Sequence, residues 1–287
     1  MMKYICALTI AGSDSCGGAG IQADIKTMSA LGVYAASAIT SVTVQNTLGV
    51  SAIQAISPDI VGGQIKAVME DIRPQAVKIG MVNDRDTILA IASALTKFRD
   101  MAWQALVVDP VMVSTSGCRL MQEDALSAFC DKLLPIATLL TPNIPEAEVL
   151  SGMRILTIED MHLAARRILD QGCRAVLIKG GHMEGNQKVD MLYTKEESIV
   201  DGQDAANPVS SYAHGTIVTR NTHGTGCTLS SAITSFIARG MSLADAIGAA
   251  KEYLSGAIEA GKDVETGGGH GPVNHFYNPE RMKILVN

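Results

Sequence analysis

The chain has 287 residues, 47% of them hydrophobic and 18% charged, which supplies a large core and excludes a disordered chain. Its 23 Lys and Arg against 29 Asp and Glu leave a net charge of −6. With no basic run, that argues against nucleic-acid and membrane partners but not against phosphate ligands, which backbone amides bind locally.

Short apolar runs alternate with amphipathic stretches along the chain. Tyr4–Ile10 opens the series as a strand; it is too short for a membrane span and lacks a signal-peptide layout. Ala38–Val44, Ala76–Ile79, Ala105–Asp109, Thr138–Leu140 and Ala175–Lys179 read as further strands, several of them apolar throughout, as a parallel sheet covered on both faces requires. Helices are predicted between them at Gly20–Leu31, Pro58–Ile72, Asp86–Phe98, Gln122–Leu134 and Ile158–Gln171, then at Cys227–Ala238 and Leu243–Ala260. The polar region Tyr193–Thr219 reads as one or two antiparallel edge strands with a loop. The pattern predicts a single α/β domain over residues 1–287, with a mostly parallel central sheet and helices on both faces. Six scattered cysteines (Cys6, Cys16, Cys118, Cys130, Cys173, Cys227) form no CxxC pair and fit reduced thiols of a cytoplasmic protein.

Ligands of open α/β sheets bind beyond the carboxyl ends of the strands. At the first such junction, Gly18-Ala19-Gly20-Ile21-Gln22-Ala23 matches the loose dinucleotide pattern, but no acid occurs between Asp24 and Asp59 to hold a ribose. Gly256–Asp263 imitates a P-loop and fails, because Asp263 stands where a hydroxyl is needed and the preceding residues are helical. The histidines form no HxH or HExxH set, so no zinc site is expected.

Asn221–Ser230 says most. Gly224, Thr225, Gly226 and Cys227 follow a strand-like Thr216–Thr219 and open an apolar helix, so their N–H groups would line an anion hole sized for a phosphoryl group. A thiol in that position is expected to have its pKa lowered from about 8.5, which would let Cys227 act as a base. Three other junctions add what phosphoryl transfer needs. Asp109 offers a carboxylate to the water shell of Mg²⁺, Asn143 and Glu146 lie on one face as a helix begins, and Lys179 could neutralise phosphate charge.

Together with Ser15–Asp24, Val44-Gln45-Asn46-Thr47, Lys78-Ile79-Gly80-Met81, Asp109-Pro110-Val111-Met112 and Thr141–Glu146, these stretches resemble the hydroxymethylpyrimidine/phosphomethylpyrimidine kinases of thiamine synthesis, within the ribokinase-like superfamily. The similarity runs from Ile10 to Val273, and Cys227 stands where most ribokinase relatives have an aspartate. The resemblance implies ATP and Mg²⁺ as cofactors and two successive phosphorylations of a pyrimidine in a homodimer. Gly224, Thr225, Gly226, Cys227 and Lys179 would form the catalytic set. Gln45 would pair with the ring nitrogen and amino group of the pyrimidine, Asp24, Gly12 and Val44 would complete the pocket, and Met81 would pack on the ring. Lys179, Asn143 and Thr225 would hold ATP, and Asp109 and Glu146 the metal. His223 is a candidate contact to a charged second acceptor, and Ser114–Leu120, with Gly117, a flap over ATP. The nearest alternative is the same chemistry on pyridoxal-type vitamers; a non-catalytic pyrimidine-binding protein and an NAD-dependent oxidoreductase are further removed.

Overall fold

The computed structural model describes residues 2–99, 103–113, 120–180, 187–198 and 205–286. After β1 (Met2–Tyr4), the chain enters β2 (Cys6–Asp14), α1 (Gly20–Ala30) and β3 (Tyr34–Asn46), which turns back into β4 (Gly49–Ala55). Then follow α2 (Pro58–Asp71), β5 (Ala76–Ile79), α3 (Arg85–Lys97), β6 (Ala105–Val108) and α4 (Glu123–Ala128). The next units are β7 (Leu139–Leu140), α5 (Ile144–Ser151), α6 (Ile158–Asp170) and β8 (Ala175–Ile178). The last are β9 (Gln187–Thr194), α7 (Lys195–Ser198), β10 (Ser210–Gly215), α8 (Thr225–Ala238), α9 (Leu243–Gly261) and β11 (Ile284–Val286).

Among the described residues nine strands form one sheet in the order β10-β9-β8-β7-β6-β5-β2-β3-β4, while β1 and β11 pair separately. The six strands from β8 to β3 run parallel, and β4 on one edge and β9 on the other join antiparallel. The apolar runs follow from that burial. Leu106 and Val108 of β6, with Val176 and Ile178 of β8, pack in the cluster that includes α2, α3 and α6. Their neighbours Ala105, Val107, Ala175 and Leu177 face α8 and α9. Residues of alternate parity are thus buried on opposite faces, which leaves no polar face to alternate with.

Three elements depart from expectation. The predicted helix Gln122–Leu134 ends as α4 at Ala128 and continues as a wide turn, Phe129–Leu133, and a tight one, Leu134–Ile136, which contains Pro135. The expected strand Thr216–Thr219 is irregular; β10 stops at Gly215, and the Thr219 hydroxyl donates instead to the Lys262 carbonyl. The edge pair expected at Tyr193–Thr219 is β9 with β10, beginning earlier, at Gln187.

Candidate active site

Two glycine-bearing turns meet beyond the carboxyl end of the sheet. Asp14, the last residue of β2, folds the first: its carboxylate accepts from the N–H groups of Cys16 at 2.8 Å, Gly18 at 3.1 Å and Ala19 at 2.8 Å. Burial pushes this carboxyl up, but those amides and His223 outweigh it and hold the group below its usual range. The second turn ends at Gly224, the N-cap of α8, with φ of 79°. A side chain there would be strained, and its Cβ would run into the Gly18 carbonyl. His223, just before it, is buried and lies 2.8 Å from Asp14 through Nε2.

The phosphoryl-binding residues expected from the sequence converge on this second turn. A Cβ on Gly226 would sit 3.3 Å from Asp109 Oδ2 and 3.6 Å from Lys179 Nζ. Lys179 Nζ donates to Asp109 Oδ1 at 3.1 Å, and the Thr141 hydroxyl donates to the same oxygen at 3.1 Å. Desolvation would lower the Lys179 ammonium, yet the carboxylates of Asp109 and Glu146 raise it. Asn143 caps α5 in a reciprocal box: Asn143 N donates to Glu146 Oε2 and Glu146 N to Asn143 Oδ1, each at 2.9 Å. Burial lifts the Glu146 carboxyl to about 7, against the pull of Lys179 and with the push of Asp109. Behind Lys179, Gly180 N donates to Asp190, whose other oxygen is held by Lys251 at 2.6 Å.

The acceptor-pocket residues group less completely. Gly12 is buried in β2, where a Cβ would meet Ser41 Oγ at 2.7 Å and Met81 Cε at 2.8 Å. Met81 is buried and its carbonyl accepts from the Thr40 hydroxyl. Gln45, at an irregularity of β3, is tied to the first turn by Ser15: Gln45 N donates to Ser15 Oγ at 2.9 Å, and Ser15 Oγ donates to Gln45 O at 2.8 Å. Exposed Val44, with Ser15 and Gln45, lines an open depression of about 330 Å³ on the β3–β4 hairpin; neither Met81 nor Cys227 is among its walls.

Two expectations are corrected. Asp24 is not a wall of the pocket. It is fully buried, and its oxygens take two bonds from Lys78 Nζ at 2.8 Å, one from Thr9 Oγ1 at 2.5 Å and one from Ser231 Oγ at 2.6 Å. Cys227, one turn before Ser231 on α8, does not have a lowered pKa. Burial pushes its thiol to about 11; Lys78 and a backbone hydrogen bond from Gly20 pull it down, while Asp24 and Asp109 push it up. Residues 114–119 of the expected flap lie outside the described residues.

Sequence reasoning gave Lys78 no role of its own, although a lysine inside the apolar run Ala76–Ile79 is a charge that must find a buried partner. It also missed the juncture of Asp14, Cys16 and His223, whose possible ligand atoms lie within 4.8 Å of one another. Asp14 is occupied there by three amides and His223, so the trio reads as a staple between the turns.

A family model for phosphomethylpyrimidine kinase matches residues 14–274. A hydroxymethylpyrimidine/phosphomethylpyrimidine kinase from Rhizobium meliloti is 49% identical over 94% of this chain and 97% of its own. A thiamine biosynthesis bifunctional protein from Geobacter sulfurreducens is 46% identical over 96% of this chain and 53% of its own. Pyridoxal kinase from Staphylococcus aureus, solved in complex with AMP-PCP and pyridoxal, superposes with a TM-score of 0.79 at 33% identity, covering 96% of this chain and 94% of that one. The fold is the ribokinase-like one that the resemblance implied, and the chain belongs to the phosphomethylpyrimidine kinase family.

Proposed function

We propose that this kinase transfers the γ-phosphoryl group of ATP to the hydroxymethyl oxygen of 4-amino-5-hydroxymethyl-2-methylpyrimidine, and then a second phosphoryl group to the monophosphate, in thiamine biosynthesis. The observation that carries the reading is the seat at Gly226, where the amino end of α8, the Lys179 ammonium and the Asp109 carboxylate face one point. In a loose phosphoryl-transfer transition state, positioning and charge stabilisation do most of the work. Gly224, Thr225, Gly226 and Cys227 would offer amides to the migrating group, with Thr225, Asn143 and Lys179 against the nucleotide. Lys179 would exchange part of its contact with Asp109 for phosphate oxygen.

Asp109 and Glu146 are hard carboxylate donors in one charge cluster, the type that Mg²⁺ takes, so the residues present fit that ion held largely through water. Bound there, Mg²⁺ would neutralise charge on the phosphates. Cys227 would accept the hydroxyl proton late, as a thiolate; with its thiol raised to about 11 and only partly buried, it would first release its own proton to solvent. At the other end Gln45, Val44, Gly12 and Met81 would receive the ring, while Asp24 supports the site from beneath.

No helix among the described residues is long and apolar enough to cross a membrane. We place the enzyme in the cytoplasm as one kinase unit over residues 1–287. A homodimer is supported by Val42, Val44 and Leu48, exposed apolar residues of the β3–β4 hairpin. Mass spectrometry of products from the pyrimidine, ATP and Mg²⁺ tests the function: a monophosphate followed by a diphosphate is expected. No phosphorylated pyrimidine, or a higher kcat/KM with pyridoxine, would overturn it.

A further inference from the structure

We propose that Asp14, His223 and Thr43 fix the direction of the Gln45 amide, carbonyl toward His223 and NH₂ toward Thr43, and so make the pocket select a ring with an amidine edge over one with an amide edge. The inference rests on Gln45 reading the acceptor ring.

Two independent contacts demand that direction. His223 Nε2 lies 2.8 Å from an Asp14 oxygen that can only accept, so the proton is on Nε2. Gln45 Nε2 is assigned to the position 3.3 Å from the same nitrogen, and the two ends of an amide are told apart only by their partners. An NH₂ there would set donor against donor; the carbonyl oxygen accepts. On the other side, Thr43 Oγ1 has one proton and two neighbours, Ser13 O at 2.9 Å and the Gln45 atom assigned as Oε1 at 3.1 Å. Both are carbonyl oxygens and one proton cannot serve both; with the amide exchanged end for end, Thr43 donates to Ser13 and accepts from the Gln45 NH₂. A half-turn of the amide removes both mismatches, with the His223 Nε2–H directed at Asp14 and shared at longer range with the Gln45 oxygen. Thr43, Asp14 and His223 are all buried, which leaves these groups to one another rather than to water.

The remaining amide N–H and oxygen lone pair are then presented in one order. An aminopyrimidine answers with ring nitrogen and exocyclic amino group; its 4-oxo counterpart reverses donor and acceptor. Because the hydroxymethyl group must point to the phosphoryl turn, the ring cannot turn over to compensate. Thr43 and His223 are therefore specificity-determining positioning residues that act through Gln45.

The test compares kcat/KM for the 4-amino substrate and its 4-oxo analogue. Thr43→Val and His223→Leu should each lower the amino-to-oxo ratio roughly tenfold or more, while Thr43→Ser, which keeps the hydroxyl, should retain it. A purely structural role would slow both substrates together and leave the ratio unchanged, and that result overturns the proposal. A measurement on the unaltered protein covers variants that fail to fold: the side-chain amide protons of Gln45, assigned by their loss in Gln45→Ala, should show NOEs to the Thr43 methyl group. NOEs to the His223 ring instead overturn it equally. Gln45→Ala also separates the two ideas, since an unchanged KM there rejects Gln45 as a reader of the ring. A raised KM with an unchanged ratio in the other variants rejects only the orientation.

Discussion

Lys78 with Asp24 and Lys179 with Asp109 are ion pairs of the same chemistry, 2.8 Å and 3.1 Å long, each lysine lying in or just after a parallel strand. Lys78 and Asp24 are 0% exposed, and hydroxyls of Thr9 and Ser231 complete the carboxylate. Lys179 is 16% and Asp109 3% exposed, and they open onto the amino end of α8. The sealed pair has no vacant direction from which a ligand could approach. The other keeps a charge free to be shared with phosphate. Residue type alone does not separate a supporting ion pair from one proposed to meet phosphate; burial and the neighbouring helix end do.

Deleting one lysine at a time breaks the two pairs differently. Lys78→Met strands a buried carboxylate and should cost about 3–5 kcal/mol in urea unfolding. Lys179→Met should cost less, because Asp109 keeps Thr141 and Lys179, unlike Lys78, is partly open to water. Equal losses would remove the distinction. Turnover should show the reverse order: Lys179→Met is expected to lower kcat by roughly 10²–10³, the range for losing a donor that meets developing charge. A steady-state assay in which Lys78→Met, corrected for folded fraction, is the slower enzyme would sink that assignment.

Parts of this arrangement were legible because they follow from local constraints. The central strands betray themselves as unbroken apolar runs, since both of their faces are covered. The turn before α8 shows its glycines because Gly224 needs a positive φ and close contact with Gly18. The hairpin that carries Gln45 was half hidden. Gly49–Ala55 is an edge strand with mostly exposed side chains, so no core-facing alternation marks it. Asp24 was misassigned for a different reason: its partner Lys78 is 54 residues away, and no spacing rule links them. The thiol of Cys227 was misjudged because a helix terminus is visible in sequence, whereas the burial and the carboxylates of Asp24 and Asp109 that oppose it are assembled only by the fold.

Cys227 joins the two pairs, since Lys78, Asp24 and Asp109 all act on its sulfur. Cys227→Ala should lower kcat by roughly 10² or more while leaving the pyrimidine KM little changed; undiminished turnover would remove the thiol from the proton transfer. The smallest effect concerns its resting state. A thiol raised to about 11 is almost wholly protonated at neutral pH and becomes thiolate only as pH rises toward that value. Alkylation of Cys227 by iodoacetamide, followed on its own peptide by mass spectrometry, should therefore quicken about tenfold per pH unit between pH 7 and 10, with no plateau in that range. A plateau near pH 8 would mean that the helix end, with Lys78, outweighs burial and both carboxylates, and the sealed pair would then be an activator of the thiol rather than a neutral support beneath it.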